Sequence, residues 1–171
     1  LIDDRVRTFA QDQVLVFGAT TFREFREFVV AFDEPYYDRL NELPKIVFSS
    51  TLEPPLGWRN STVLNEDAVT AIDRLKRTTD VPMRSHGSIS LNRALLAAGL
   101  VDRLEVMMFP AITGRAGEAS LFQDGAEFDL ELVESTVLDG RTQKLVYLPH
   151  LHGAVPEGVG PRLRSTDERK I

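Results

Sequence analysis

Two stretches of the chain run from a short apolar or extended segment, through a glycine, into hydroxyl residues that open a helix. They are Val14-Leu15-Val16-Phe17-Gly18-Ala19-Thr20-Thr21 and Met83-Arg84-Ser85-His86-Gly87-Ser88. Glycine lets a ligand approach the backbone closely, and the first N–H groups of a helix have no internal acceptor, so each turn offers partial positive charge to an anion. One such turn is common punctuation, in which Ser or Thr merely caps the helix. A pair in one short chain points to the two phosphates of a dinucleotide. His86 adds an imidazole that ordinarily titrates near neutrality, a candidate proton donor set against its commoner role of packing or hydrogen bonding at a strand end.

The rest of the composition narrows the partners. The 171 residues suffice for one domain with a real core. Twenty-six acidic against twenty basic residues give a net charge of −6, which disfavours nucleic acid and anionic membrane, so any phosphate must be met by a local site. There is no cysteine, which excludes disulfides and thiolate metal sites, and three scattered histidines give no zinc spacing; no metal is expected. No apolar run has the length of a membrane span, and Leu1-Ile2-Asp3-Asp4-Arg5 lacks the order of a secretion signal, so the expected location is the cytoplasm.

The elements that must position the two turns follow from periodicity. Ile2, Val6, Phe9 and Ala10 recur at helical spacing, and 14–17 is a buried strand ending at Gly18. Thr21-Phe22-Arg23-Glu24 has capping-box spacing, and Phe22, Phe25, Phe28 and Val29 then form one core-facing stripe. Pro35 opens a short helix, 45–48 is a β-branched and aromatic strand, and 62–64 a brief one. Asp67 should cap a helix carrying Val69, Ile72 and Leu75; a strand at 82–86 leads to a helix at 90–98 closed by Gly99. Trp58, in the Pro- and Gly-rich loop of 52–60, either packs or touches an adenine edge. Strands at 103–109, 127–135 and 143–148 have no strong helix between them and should pair antiparallel. The expected class is α/β: a mixed, mostly parallel sheet with helices on both faces and an antiparallel C-terminal edge, over 1–149, followed by a tail at 150–171.

Taken in order, several segments resemble one family, the dihydrofolate-reductase-like fold, in its bacterial branch similar to the reductase domain of the riboflavin-synthesis deaminase-reductase. They are Val14 to Gly18 with Thr21-Phe22, Leu43-Pro44-Lys45 leading to Ser49-Ser50-Thr51-Leu52, His86-Gly87-Ser88 with Leu91, Ala98-Gly99-Leu100-Val101-Asp102, and Pro110 to Gly114 followed by Leu121-Phe122. The resemblance implies NADPH, with NADH possible, across the carboxyl ends of the sheet. It assigns Gly18, Thr20 and Thr21 to the pyrophosphate, Ser49, Ser50 and Thr51 to the adenosine and its 2′-phosphate, and His86, Gly87 and Ser88 to the other side of the pyrophosphate. It marks Asp3 and Asp4, upstream of the first turn, as candidate acids, against the ordinary reading of a solvated helix start. It implies a homodimer, with 106–109 as a contact segment, and a small-molecule substrate.

Three departures qualify this. Ala19 stands where the family commonly has Arg or Lys for the 2′-phosphate, with Arg23 one turn on; this weakens a preference for NADP. Ile89 stands where a small residue is expected. The family's first strand and Ser-Asp-Gly turn have no counterpart before Ile2, so either the chain starts downstream of a native beginning or the site is incomplete. The leading expectation is therefore an NADPH-dependent reductase of a small heterocyclic or sugar-linked compound. The alternatives are a catalytically silent nucleotide-binding or structural dimer, and a pterin or folate reductase.

Overall fold

Apolar alternation decides how the first strand is used. The computed structural model describes residues 1–31, 35–86, 88–112 and 126–152. Successive side chains of a strand point to opposite faces, and in β1 (Val14–Gly18) Leu15, Val16 and Phe17 are all buried, so both faces of this strand must be covered. Leu15 and Phe17 join one core with Phe9 of α1 (Ile2–Ala10), Phe22 and Val29 of α2 (Ala19–Ala31) and Leu40 of α3 (Pro35–Glu42). Val16 joins the other, with Ile72 of α4 (Ala68–Thr78) and Leu91 and Leu95 of α5 (Ile89–Ala97). Helices lie on both faces, as expected.

The four parallel strands run in the order β3-β2-β1-β4, with β2 at Lys45–Phe48, β3 at Ser61–Leu64 and β4 at Met83–Ser85. The last three strands pair antiparallel in the order β5-β7-β6, with β5 at Leu104–Met108, β6 at Phe128–Leu138 and β7 at Thr142–Leu151. The parallel-then-antiparallel plan holds, but it is divided between two sheets. Arg84 of β4 and Glu105 of β5 tie them, with an ion pair at 3.4 Å. Strand β7 continues through His150 and Leu151, past the expected boundary at 149, because both residues pair with β6. Residues 153–171 of the expected tail, Gly87, the turn at 114–117 and Leu121-Phe122 lie outside the described residues. Among those described, no helix is long and apolar enough to cross a membrane.

Two stripes read from periodicity hold only in part: Phe22, Phe25 and Val29 of α2 and Phe9 of α1 join the core, and other members do not. Ile2 and Val6 of α1 are 71% and 45% exposed, while Asp4 on the same helix is buried, because Lys144 of β7 reaches it at 3.0 Å. Phe28 of α2 is 55% exposed and meets Tyr37 edge-on, with ring centroids 5.9 Å apart, so it is not core. The 52–60 loop is fixed from below. Lys45 is only 1% exposed, yet its ammonium donates to the carbonyls of Asn41, Leu43 and Arg59 at 3.1, 2.7 and 3.3 Å and lies 4.6 Å from the centre of the Trp58 ring. Burial, with Arg59 nearby, pushes its pKa down to about 8. Trp58 donates to Asn41 Oδ1 at 2.7 Å and packs on Phe17 and Phe22, which settles its role as packing and not adenine contact.

Candidate functional site

Open parallel sheets bind ligands outside the carboxyl ends of their strands, at the point where successive connections leave in opposite directions. Here β2 and β3 lie to one side of β1 and β4 to the other, so that point is the crevice between β1 and β4. Both glycine turns of the sequence lead out of it. Helix α2 starts at Ala19, directly after β1, and α5 starts at Ile89, just beyond β4. Thr21 was expected to cap α2 and instead lies inside its first turn with Thr20. The helix begins at Ala19, three residues earlier than a Thr21 cap implies.

The two turns are bonded to each other. The backbone N–H of Gly18 donates to Ser88 Oγ at 2.7 Å. Ser88 occupies the N-cap position of α5, in left-handed backbone at φ 63° and ψ 77°, and its hydroxyl caps nothing in its own helix. That hydroxyl is turned to Gly18 instead, so the first-turn donors of α5 have no cap from this side chain. A Cβ at position 18 would sit 3.0 Å from Ser88 Oγ and 3.3 Å from Ser88 Cβ, so so close an approach of the two turns favours glycine. The result is a backbone-lined cradle with two helix N-termini, the exposed Thr20 hydroxyl and the small Ala19 at its edge. Such a donor set fits a diphosphate.

The remaining sequence candidates fall around this cradle in different ways. Ser49 follows β2, and its N–H donates to Leu64 O at 3.1 Å; its hydroxyl accepts from the N–H groups of Thr51 and Leu52 at 3.1 and 3.0 Å. Ser49 therefore closes its own turn, whereas Ser50 and Thr51 are exposed. Ile89, the first residue of α5, is 39% exposed. His86 packs at a tilt against Phe9 and Phe25, with ring centroids 5.0 and 5.8 Å away, and its Nε2 is buried with no hydrogen-bond partner among the described residues. Burial, reinforced by Arg84 and Arg5, pushes its pKa down to about 4. A neutral, packed imidazole is a poor proton donor at neutral pH.

Asp3 is exposed, as a solvated helix start would be, but Asp4 is not. Its carboxylate accepts from Lys144 Nζ at 3.0 Å, and Glu134 lies 3.8 Å from the same ammonium. Burial opposes the Lys144 charge, but Asp4, Glu105 and Glu134 outweigh it and hold the pKa above its ordinary value. Neither the Ser88 hydroxyl as an acceptor for Gly18 nor Lys144 as the partner of Asp4 was signalled by local sequence, since the partners are 70 and 140 residues apart.

Residues 4–144 match the model of the RibD C-terminal domain. No curated protein sequence matches the chain. Among solved structures, a putative riboflavin biosynthesis protein from Shewanella sp. PV-4 is similar at 22% identity and a TM-score of 0.67, over 84% of this chain and 77% of that one. A pyrimidine reductase-like protein from Corynebacterium diphtheriae is similar at 15% identity and 0.51, over 81% and 76%. RibD of Acinetobacter baumannii is similar at 13% identity and 0.52; this chain covers 49% of its length and is itself 85% covered. At these identities the structures establish the fold, and the match over 4–144 establishes the family. The chain belongs to the family of the RibD C-terminal domain.

Proposed function

We propose that the crevice between β1 and β4 binds a nicotinamide dinucleotide, NADPH or NADH, and that the protein uses it to reduce a small heterocyclic or sugar-linked compound. The observation that carries this reading is the Gly18 N–H to Ser88 Oγ bond, which closes two strand-to-helix turns around one cradle and turns the Ser88 hydroxyl away from the first-turn donors of α5. Membership of a reductase-like family supports the reaction class. When bound, the nicotinamide would supply the hydride.

The chain's own contribution is position. The first-turn N–H groups of α2 and α5 would hold the diphosphate, with Thr20 and Thr21 beside it, while Ser50 and Thr51 border the ribose end. Val16 and Phe17, buried on opposite faces just before Gly18, keep the cradle fixed to the two cores. A fixed cradle limits the orientations of a bound dinucleotide, which makes hydride transfer between two bound partners effectively unimolecular.

A second reading, a catalytically silent nucleotide-binding or structural dimer, is favoured by His86. The one imidazole at the cradle is neutral and packed between Phe9 and Phe25, which leaves the reaction no obvious acid among the described residues. A pterin or folate reductase would need a carboxylate beside the nicotinamide, and Asp4 is engaged by Lys144. In either reading a second copy would bury the apolar residues that the antiparallel strands leave exposed, among them Met108, Leu130, Leu132 and Val137.

The test is a thermal midpoint with NADPH and NADH, since a ligand that binds only the folded state adds about 2.7 kcal/mol of stability at a hundredfold excess over its dissociation constant. A rise, followed by loss of reduced-nicotinamide absorbance with pyrimidine or sugar-linked substrates, is the expected result. No response to either dinucleotide at millimolar concentration would sink the reductase reading; binding without turnover would favour the silent one.

A further inference from the structure

Resting on the reading that the β1–β4 crevice holds a nicotinamide dinucleotide, we propose that its ribose end accepts a free 2′-hydroxyl, so that NADH is held at least as tightly as NADPH. In sheets of this plan the adenosine ribose meets the residues that follow the second strand. Here those residues are Ser49, Ser50 and Thr51, and the hydrogen bond from Ser49 N–H to Leu64 O brings the end of β3 alongside, with Asn65, Glu66 and Asp67 next in the chain. The side chains at this end are hydroxyls, an amide, two carboxylates and the Arg74 guanidinium that is bound to one of them.

Among these groups no cation is left free for a phosphate, and Asp67 adds an unneutralised negative charge. Glu66 is held ionised by hydrogen bonds from Arg74 at 3.0 and 2.8 Å, and Asp67 by the N–H and hydroxyl of Thr70, both at 2.8 Å; both carboxyls sit below their ordinary pKa. Arg74 is engaged as a two-pronged clamp on Glu66 and so is not free for a second anion. The Ala19 side chain offers no donor. A 2′-phosphate brings a charge of about −1.5 to −2 at neutral pH and needs a cation to offset its lost hydration, whereas a hydroxyl needs one acceptor and one donor, which Ser, Thr and carboxylate side chains provide. Arg23, exposed one turn into α2, is the cation nearest in sequence to the first turn and is therefore part of the test.

The experiment is isothermal titration calorimetry of the chain of residues 1–171 with NADH and NADPH, and with AMP and adenosine 2′,5′-bisphosphate, which differ only in the 2′-phosphate, as probes of the ribose end. The expected result is a dissociation constant for NADH equal to or below that for NADPH, and the same order for the two probes. Ala19→Arg should tighten NADPH by about tenfold and leave NADH within about twofold, and Arg23→Ala should leave the ratio unchanged. Ala19→Lys serves in its place if Ala19→Arg loses its native circular dichroism, and the wild-type ratio decides the matter if both do. NADPH binding about tenfold tighter than NADH, or an NADPH preference that Arg23→Ala removes, would overturn the proposal. Heat from neither dinucleotide overturns the cofactor reading itself, and this proposal with it, and so is distinct from failure of the ribose preference alone.

Discussion

The backbone N–H of Gly18 and the hydroxyl of Ser88 meet at 2.7 Å across 70 residues of sequence, joining the ends of the two segments that flank the β1–β4 crevice. Ser88 holds a left-handed backbone, at φ 63°, that a residue with a side chain adopts only at a cost of about 1–2 kcal/mol. Ser88→Ala should lower stability by about 1–2 kcal/mol, because it leaves the Gly18 N–H without an acceptor. Ser88→Gly loses the same bond but relieves the backbone, and should be the less damaged by about 1 kcal/mol. Urea unfolding of both variants checks the order, and equal losses would rule out the strain.

Gly18→Ala brings a methyl group to 3.0 Å from Ser88 Oγ, so the turns must separate. A cost of about 1–3 kcal/mol is expected, together with weaker dinucleotide binding in the titration above. The double variant Gly18→Ala, Ser88→Gly should recover part of the stability, since the clashing side chain is gone. Additive losses would show that the two residues do not press on each other.

His86 predicts an acid-side loss of stability. The unfolded chain takes up a proton near the ordinary pKa of 6.5, while the buried ring refuses it until about 4. Between those values the unfolded state binds more protons, so stability falls as pH drops from 6.5 toward 4, by on the order of 2–3 kcal/mol in total. His86→Phe keeps the packing against Phe9 and Phe25 and should flatten the curve between pH 6.5 and 5, above the range where carboxylates titrate. His152, whose pKa is raised by Asp129 and Glu127, acts in the opposite sense; it is common to both proteins and cancels in the difference. Identical pH curves for wild type and His86→Phe would refute the assignment.

Asp4 and Lys144 tie α1 to the antiparallel sheet, each with its side chain only 12% exposed. Asp4→Ala should cost about 1–3 kcal/mol, the lower figure reflecting partial relief of Lys144 by Glu134. Asp4→Leu combined with Lys144→Met should regain most of it, since no unpaired charge is left buried. The double-mutant cycle in urea measures the coupling, and a coupling near zero would mean the pair does not hold the two elements together.

Asp67 caps α4 by accepting from the N–H of Thr70, and Asp67→Ala should cost about 1 kcal/mol. Asp67→Asn should cost less, because the cap survives. Thermal unfolding separates the two.

The residues that specify short-range structure were readable in order. Lys45-Ile46-Val47-Phe48 is β2, Asp67 caps α4 three residues before Thr70, and Gly99 ends α5 with φ +66°. Each of these depends on backbone preference and hydrogen bonds within a few positions, which a linear pattern records. The Gly18 turn was legible for the same reason, and the order of the segments was enough to place the chain in its family. The buried sides of α4 and α5 also followed their apolar stripes, whereas that of α1 did not. The apolar Ile2 and Val6 are exposed and the acidic Asp4 is buried, because the partner that satisfies Asp4 arrives from β7. For His86 the sequence left open an acid or a packed ring, and burial against Phe9 and Phe25 favours the packed ring, because desolvation is set by what packs on a group and not by its neighbours in the chain. Ser88 stands at the N-cap of α5, yet its hydroxyl is the acceptor for Gly18 and not for its own helix. By itself the sequence determined the elements, their order and the family; the tertiary structure alone decided which polar groups face each other, since contacts across 70 or 140 residues follow from topology and leave no periodicity to read.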